Sequence, residues 1–198
     1  MPTDRITDAT TEPVTLAEAK VHLREPLEDA DNDTYIAALI TSARLDAEHR
    51  LQRTLITTTW RLTLDAFPAV CAGARDDAIR LAMGRVIAVQ SITYVDAAGA
   101  TQTLAADQYR VDLSGDVARI TPAYGLSWPT TRAVTGAVQV NYTAGYGASA
   151  AAVPAPIKSW IKLAMGDLYD QRSRSAERPA VPQHFADALL DPYRIWSL

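Results

Sequence analysis

The hydrophobic period of this chain changes twice, from helical to alternating and back, and no other feature narrows its possible folds as much. Val14-Thr15-Leu16-Ala17-Glu18 opens the first helical stretch: the Thr15 hydroxyl can cap the Glu18 amide while the Glu18 carboxylate reaches back to the Thr15 amide. That helix is expected to run to about Glu25, where Pro26 stops it. An acidic link, Glu28 to Asp33, follows, and a second helix is expected from Asn32 or Asp33 to about Gln52. At about 100° per residue, Ile36, Leu39, Ile40, Ala43, Ala47 and Leu51 fall on one stripe. Leu45 lies on the opposite side, either as a lone exposed leucine or as part of a second contact face.

From Thr57 the period is two. Trp60, Leu62, Leu64 and Ala66 alternate with Arg61, Thr63 and Asp65, a half-buried strand ending at Phe67-Pro68. Val86 to Val95 is rich in β-branched residues, and the turn Asp96 to Gly99 returns the chain through Thr101 to Leu104. Tyr109 to Leu113 and Val117 to Thr121 flank Ser114-Gly115-Asp116 as a hairpin, and Ala137 to Thr143 supplies one more strand. Helical spacing returns with Pro156 in a first turn and Ile157, Trp160, Ile161, Ala164 and Leu168 as a stripe ending near Arg172. A short helix from about Gln183 to Leu190 comes last. The expected fold is α+β: a helical core of two N-terminal and two C-terminal helices with an inserted antiparallel β region and an extended tail. Its parts are residues 1–56, 57–147, 148–190 and 191–198.

The 198 residues carry 19 Lys+Arg against 23 Asp+Glu, a formal charge of −4, which excludes a generic nucleic-acid binder that relies on concentrated positive charge. A chain of this length buries roughly 70% of its unfolded surface, so it needs neither metal nor disulfide to fold. Cys71 has no internal partner and reads as an inert thiol in a reducing compartment. Residues 1–13 lack an apolar secretion core, and no run of about 18 apolar residues occurs, so neither a signal peptide nor a membrane span is expected.

No constellation of side chains rises to an enzyme or a cofactor site. Asp29, Asp31 and Asp33 have the spacing with which a calcium loop begins, but Thr34 stands at the required glycine and Ile40 at the twelfth position, so they read as an acidic link and helix cap. Gly125-Leu126-Ser127-Trp128-Pro129 is half a nucleophile-elbow pattern, without the last glycine or a following helix. Gly145-Tyr146-Gly147 lacks the third glycine and the Lys-Ser/Thr of a phosphate loop. His22, His49 and His184 sit on three separate expected helices without metal-ligand spacing. Along the chain the one basic concentration is Lys158 and Lys162 with Arg172, Arg174 and Arg178 beyond; it is a solvated face, or a contact for an acidic partner or passing DNA. The tail is unusual for a chain end: after Pro192 it carries Tyr193, Arg194, Ile195, Trp196 and Leu198, and it either folds back onto its own core or docks on another chain.

Several segments together resemble one family. Val14 to Lys20, Asp33-Thr34-Tyr35-Ile36 running into Leu39-Ile40 and Ala43-Arg44, and Thr59-Trp60-Arg61-Leu62 through Phe67-Pro68 resemble the opening of tailed-phage head-tail connector proteins, the adaptor subunits beneath the portal. Ile92 to Asp96, Tyr109 to Asp112, Trp128-Pro129, Val138 to Gly147, Pro156-Ile157-Lys158 and Leu189 to Arg194 agree in order. Met83-Gly84 departs from the pattern where a proline is expected before the Val86 strand.

The resemblance implies a non-enzymatic subunit without cofactors. It implies a ring, commonly of twelve copies, between the portal and the stopper or tail of a phage or gene transfer agent particle, assembled in the bacterial cytoplasm. DNA would pass through the ring's channel without sequence-specific binding. Twelve copies at −4 each carry −48, which repels phosphate and lets DNA slide. On this reading Tyr193, Arg194, Ile195, Trp196 and Leu198 dock on the portal, Leu45 contacts a neighbouring subunit, and the β region seats the stopper or a fibre-bearing component. The alternatives are a stopper or tail-terminator of the same particle and, from another class, a small hydrolytic or nucleotide-binding enzyme using the Gly125 or Gly145 loops.

Overall fold

The computed structural model of the chain describes residues 2–69, 77–171 and 184–196. It contains two compact units: one of strands, comprising Met1–Asp8, Thr57–Gly145 and Ile195–Leu198, and one of helices, comprising Ala9–Ile56 and Tyr146–Arg194. The fold is α+β, as the double change of period requires.

The strands of the first unit are β1 (Thr3–Arg5), β2 (Thr58–Leu64), β3 (Ile79–Leu81), β4 (Val86–Val95), β5 (Thr101–Thr103), β6 (Tyr109–Asp112), β7 (Ala118–Pro122) and β8 (Val138–Ala144). Five form a sheet in the order β1-β2-β8-β4-β5 and three form a second in the order β3-β7-β6, all antiparallel. In β2 and β8 the alternation read from sequence is the alternation of burial. Trp60 lies opposite Tyr142, Leu62 opposite Val140 and Leu64 opposite Val138, with all six inside. Inner residues of both sheets, among them Ile79, Leu81, Ile92, Ala118 and Ile120, merge with these into one core. Tyr142 donates its hydroxyl proton to the Ala82 carbonyl at 3.0 Å, and burial holds its phenol well above the ordinary range.

Two strands were not legible in the sequence. β1 is polar, Thr-Asp-Arg, and shows no periodicity; it forms because β2 offers an open edge and because the Arg5 guanidinium lies 4.9 Å from the Trp60 ring centre. β3 has only Ile79-Arg80-Leu81, too short for a period to register. At the Met83-Gly84 departure the chain holds two non-glycine residues, Met83 and Arg85, in the left-handed region at φ 58° and 56°.

The helical unit contains α1 (Leu16–Leu23), α2 (Asp33–Leu51), α3 (Ala155–Asp170) and α4 (His184–Ala188). The capping box at Thr15 is formed both ways: Glu18 N–H donates to the Thr15 hydroxyl at 3.2 Å and Thr15 N–H to the Glu18 carboxylate at 2.9 Å. α1 closes at Leu23, before the expected Glu25, because Arg24 turns left-handed (φ 61°) and its N–H caps the Lys20 and Val21 carbonyls. The acidic link is ordered from inside: the Lys20 ammonium is buried, donates to the Leu27 and Asp29 carbonyls at 3.2 and 2.5 Å, and pairs with Asp33. Asp29 accepts from the Asp31 amide at 3.0 Å, whereas Asn32 at the start of α2 makes no side-chain cap bond.

The stripe of α2 packs with Val14, Leu55, Ile157, Trp160, Ile161 and Met165. Within that stripe the sequence hid two charges. Arg44 and Glu48 are buried, Arg44 bridges Glu48 at 3.2 Å and Glu12 at 2.7 Å, and the other Glu48 oxygen accepts from the Leu55 amide at 2.9 Å. One helix turn thereby ties down both the segment before α1 and the chain leaving α2. The tail is not extended throughout: Asp191–Tyr193 forms one 3₁₀ turn, and extended backbone resumes at Arg194.

Glu48→Ala leaves a buried guanidinium and a buried amide short of a partner and is expected to cost about 3–5 kcal/mol in a denaturant titration. Asp46→Ala, which breaks the exposed Asp46–Arg50 pair of the same helix, should cost under about 1 kcal/mol; equal losses would contradict the clamp.

Candidate interaction surfaces

The tail is held from its own chain at two points. The Arg53 guanidinium donates to the Tyr193 carbonyl, and the Tyr193 ring packs against the helical core beside Leu190. Ile195 is buried at 7% exposure, while Trp196 is 71% exposed. Of the two readings of the tail, fold-back therefore holds for Tyr193 and Ile195, and Trp196 keeps its ring toward solvent. Leu198 lies outside the described residues.

Leu45 is 45% exposed, on the side of α2 away from its buried stripe. Lys158 and Lys162 are half-buried on α3, and their charges fall on Glu18 of α1. That carboxyl titrates below its ordinary value chiefly because the Thr15 amide donates to it, with the Thr15 hydroxyl and then the two lysines adding to the effect. Further along the same pair of helices, His22 lies beside Gly166, and the Tyr169 hydroxyl donates to Glu25, so α1 covers this flank of α3. Arg172, Arg174 and Arg178 lie outside the described residues, so the structure brings together only the two lysines of that cluster.

A second group of cations escaped the sequence reading, which found one basic concentration. Strand register places Arg80 of β3 opposite Arg119 of β7, with Asp112 of β6 on the other side of Arg119 and Arg110 two residues from Asp112 on the same outward face. These residues are 30 or more positions apart at the extremes, so only pairing assembles them. The helical unit has its own polar groove of about 250 Å³, in which Arg50 bridges Asp46 at 3.0 Å and Asp187 at 3.3 Å and lies 5.2 Å from the Trp160 ring centre. The Trp160 indole donates to the same Asp187 oxygen at 3.3 Å, and Asp167 completes an acidic rim. Only the i, i+4 spacing of Asp46 and Arg50 signalled this site in the sequence.

The loops weighed as enzyme motifs have other work. Ser127 is exposed in a turn whose next residue, Trp128, stacks on Phe67 at 4.8 Å and donates to the Asp77 carbonyl at 2.8 Å. In the helical unit, Tyr146 N–H donates to the Leu55 carbonyl at 3.0 Å and Gly147 bridges Ile56. Among the described residues no group of three His, Cys, Asp or Glu has metal-binding geometry, and no helix is long and apolar enough to cross a membrane.

Solved structures point to an assembly. Over its whole length the chain is similar to chains of gene transfer agent particles. A chain in the neck of an empty particle computed with C6 symmetry matches with a TM-score of 0.80 and 26% identity, and a chain in the virion of a native gene transfer agent particle with 0.79 and 25%. A chain in the neck of a native particle computed with C12 symmetry matches with 0.70 and 28%. Each match covers 100% of this chain and 97% of the other. No family model matches the sequence, and no curated protein does.

Thr15→Ala removes the hydroxyl half of the capping box, leaving the Thr15 amide's bond to Glu18 in place, and should cost about 1 kcal/mol. Because the Glu18 carboxyl is depressed in the folded state from 4.5, the stabilisation it brings is present above that value and is lost as pH falls through the folded pKa. The difference in stability between wild type and Glu18→Ala, which removes the carboxylate, followed by thermal melts from pH 7 downward, should therefore narrow only below about 4.5.

Proposed function

We propose that this chain is a head-tail connector (adaptor) subunit of a phage-like particle of the gene transfer agent kind. Copies of it form a ring, twelve in number, between the portal and the stopper or tail, and the ring prolongs the DNA channel. The observation that carries this reading is the full-length similarity to neck chains, both units included, at a TM-score of 0.80 and 97% coverage of the neck chain. A match confined to the strand unit or to the helices would speak only for a common small fold; this one extends to the way one is inserted in the other.

The physical character of the chain agrees. Its chemistry is in surfaces: an exposed tryptophan near the chain end, an exposed Leu45, a polar groove and a cationic sheet face. The formal charge of −4 per copy gives a ring that does not hold phosphate. In the proposed assembly the tail residues Tyr193, Arg194, Ile195, Trp196 and Leu198 face the portal. Trp196 is the anchor among them, since Tyr193 and Ile195 already serve their own chain. Leu45 faces a neighbouring copy, and the β unit meets the stopper or another tail-completion component. The chain acts without catalysis, on the particle and in no membrane.

Images of purified particles carrying a labelled copy of this chain test the reading: a dodecameric layer under the portal is expected. Density at another level of the neck would make the chain a stopper or tail-terminator, and absence from the neck would overturn the proposal. Trp196→Ala should melt within a degree or two of wild type yet bind isolated portal on the order of 30-fold more weakly in a pull-down titration. Unchanged binding would remove Trp196 from the portal contact.

A further inference from the structure

Tyr124 is the most exposed large hydrophobic residue among those described, at 98%, and Leu126 beside it is 53% exposed. They sit on a β-turn closed by the Leu126 amide donating to the Ala123 carbonyl at 2.9 Å, with Gly125 at φ 77° in the position that a type II turn reserves for glycine. The turn is pinned on both sides. Before it, the Ala123 amide donates to the Gln108 carbonyl at 3.0 Å; after it, Trp128 is fixed by its stack on Phe67 and its bond to Asp77. A Cβ added at Gly125 would meet nothing within 4 Å, so the glycine is demanded by its positive φ and not by a close approach. A rigid loop thus presents an aromatic ring to water with little conformational freedom left to lose on binding.

The helical unit offers a surface of matching chemistry. A groove of about 430 Å³ is walled by Val14, Leu16, Ala37 and Ile40 and is also lined by the Glu12 carboxylate and the hydroxyls of Thr41 and Ser149, that of Thr41 already donating to Glu12 at 2.9 Å. Apolar walls with polar partners among them suit the ring and the phenol of one tyrosine, whereas the groove at Arg50 and Asp187 is more charged and suits a cation instead. Because Tyr124 is 98% exposed, no part of its own chain covers it. Knob and groove are different surfaces of one chain, which is the requirement of a head-to-tail contact that closes a ring by rotation.

We propose that Tyr124 of each copy seats in the Val14–Leu16–Ala37–Ile40 groove of the next copy. The proposal rests on the ring reading above and names the contact that closes the ring.

The test uses particles assembled with full-length chain in a Cys71→Ser background. Tyr124→Cys with Ser149→Cys in one chain should give, on oxidation, a ladder of covalent multimers on a denaturing gel. A mixture of the two single variants should give dimers only, the signature of two unlike surfaces. Tyr124→Ala, and independently Ala37→Trp, which fills the groove from an exposed helix position, should each weaken association roughly 30-fold. The double variant should be no worse than either, and Tyr124→Phe should restore most of the contact; melting temperatures check that each variant is folded. No ladder and undiminished assembly of both single variants, in particles whose images still show an annular layer of this chain, would overturn the contact and leave the ring standing. Particles without such a layer would overturn the ring reading and the contact together.

Discussion

The pairing of β2 with β8 is the constraint on which the architecture depends. Seven consecutive residue pairs, from Thr58 opposite Ala144 to Leu64 opposite Val138, bring the start and the end of an insertion of nearly ninety residues side by side. The helical unit can then close across the gap as if the insertion were a short loop: the Leu55 carbonyl accepts from Tyr146, and Ile56 bridges Gly147. Loop closure over such a span costs entropy that grows only slowly with its length, and a full antiparallel ladder offsets it easily. Each unit completes its own core, one around Leu62, Val140 and Ile120, the other around Ile40, Leu51 and Ile161.

Within the helical unit the buried pair Arg44–Glu48 does what apolar packing cannot. Leucines in those places would hold α2 in the core, but a carboxylate that must find both a guanidinium and the Leu55 amide accepts one path for the chain leaving the helix. Glu12 extends the same demand to the segment before α1, where Thr41 also donates to it at 2.9 Å. Lys20 repeats the device at the acidic link. Charge inside this unit is therefore spent on shape.

An apolar stripe made α2 and α3 readable and alternation the long strands, because one face of each must leave water, while the capping box marked α1. The polar β1 and the three-residue β3 carried no such signal and depend on edges supplied by partners far away in sequence. The same limit governed the surfaces. Leu45 and the basic pair on α3 were visible because helix neighbours recur every three or four residues. The Arg80–Arg119–Arg110 face arises from strand register and could not be seen along the chain. Tyr193 and Ile195 looked like docking residues, and only their contacts divide them from Trp196.

By itself the sequence determined the order of the helices and the longer strands, the capping at Thr15, a net negative charge and, through short segments in a fixed order, a resemblance to connector proteins. These are local properties, written in spacing and charge. The tertiary structure decided which strands became neighbours, how the chain end divides between its own core and solvent, and that Tyr124 stands bare on a rigid turn. Those outcomes depend on residues tens to more than a hundred positions apart competing for the same interior, and such a competition has no signature in any one stretch of chain.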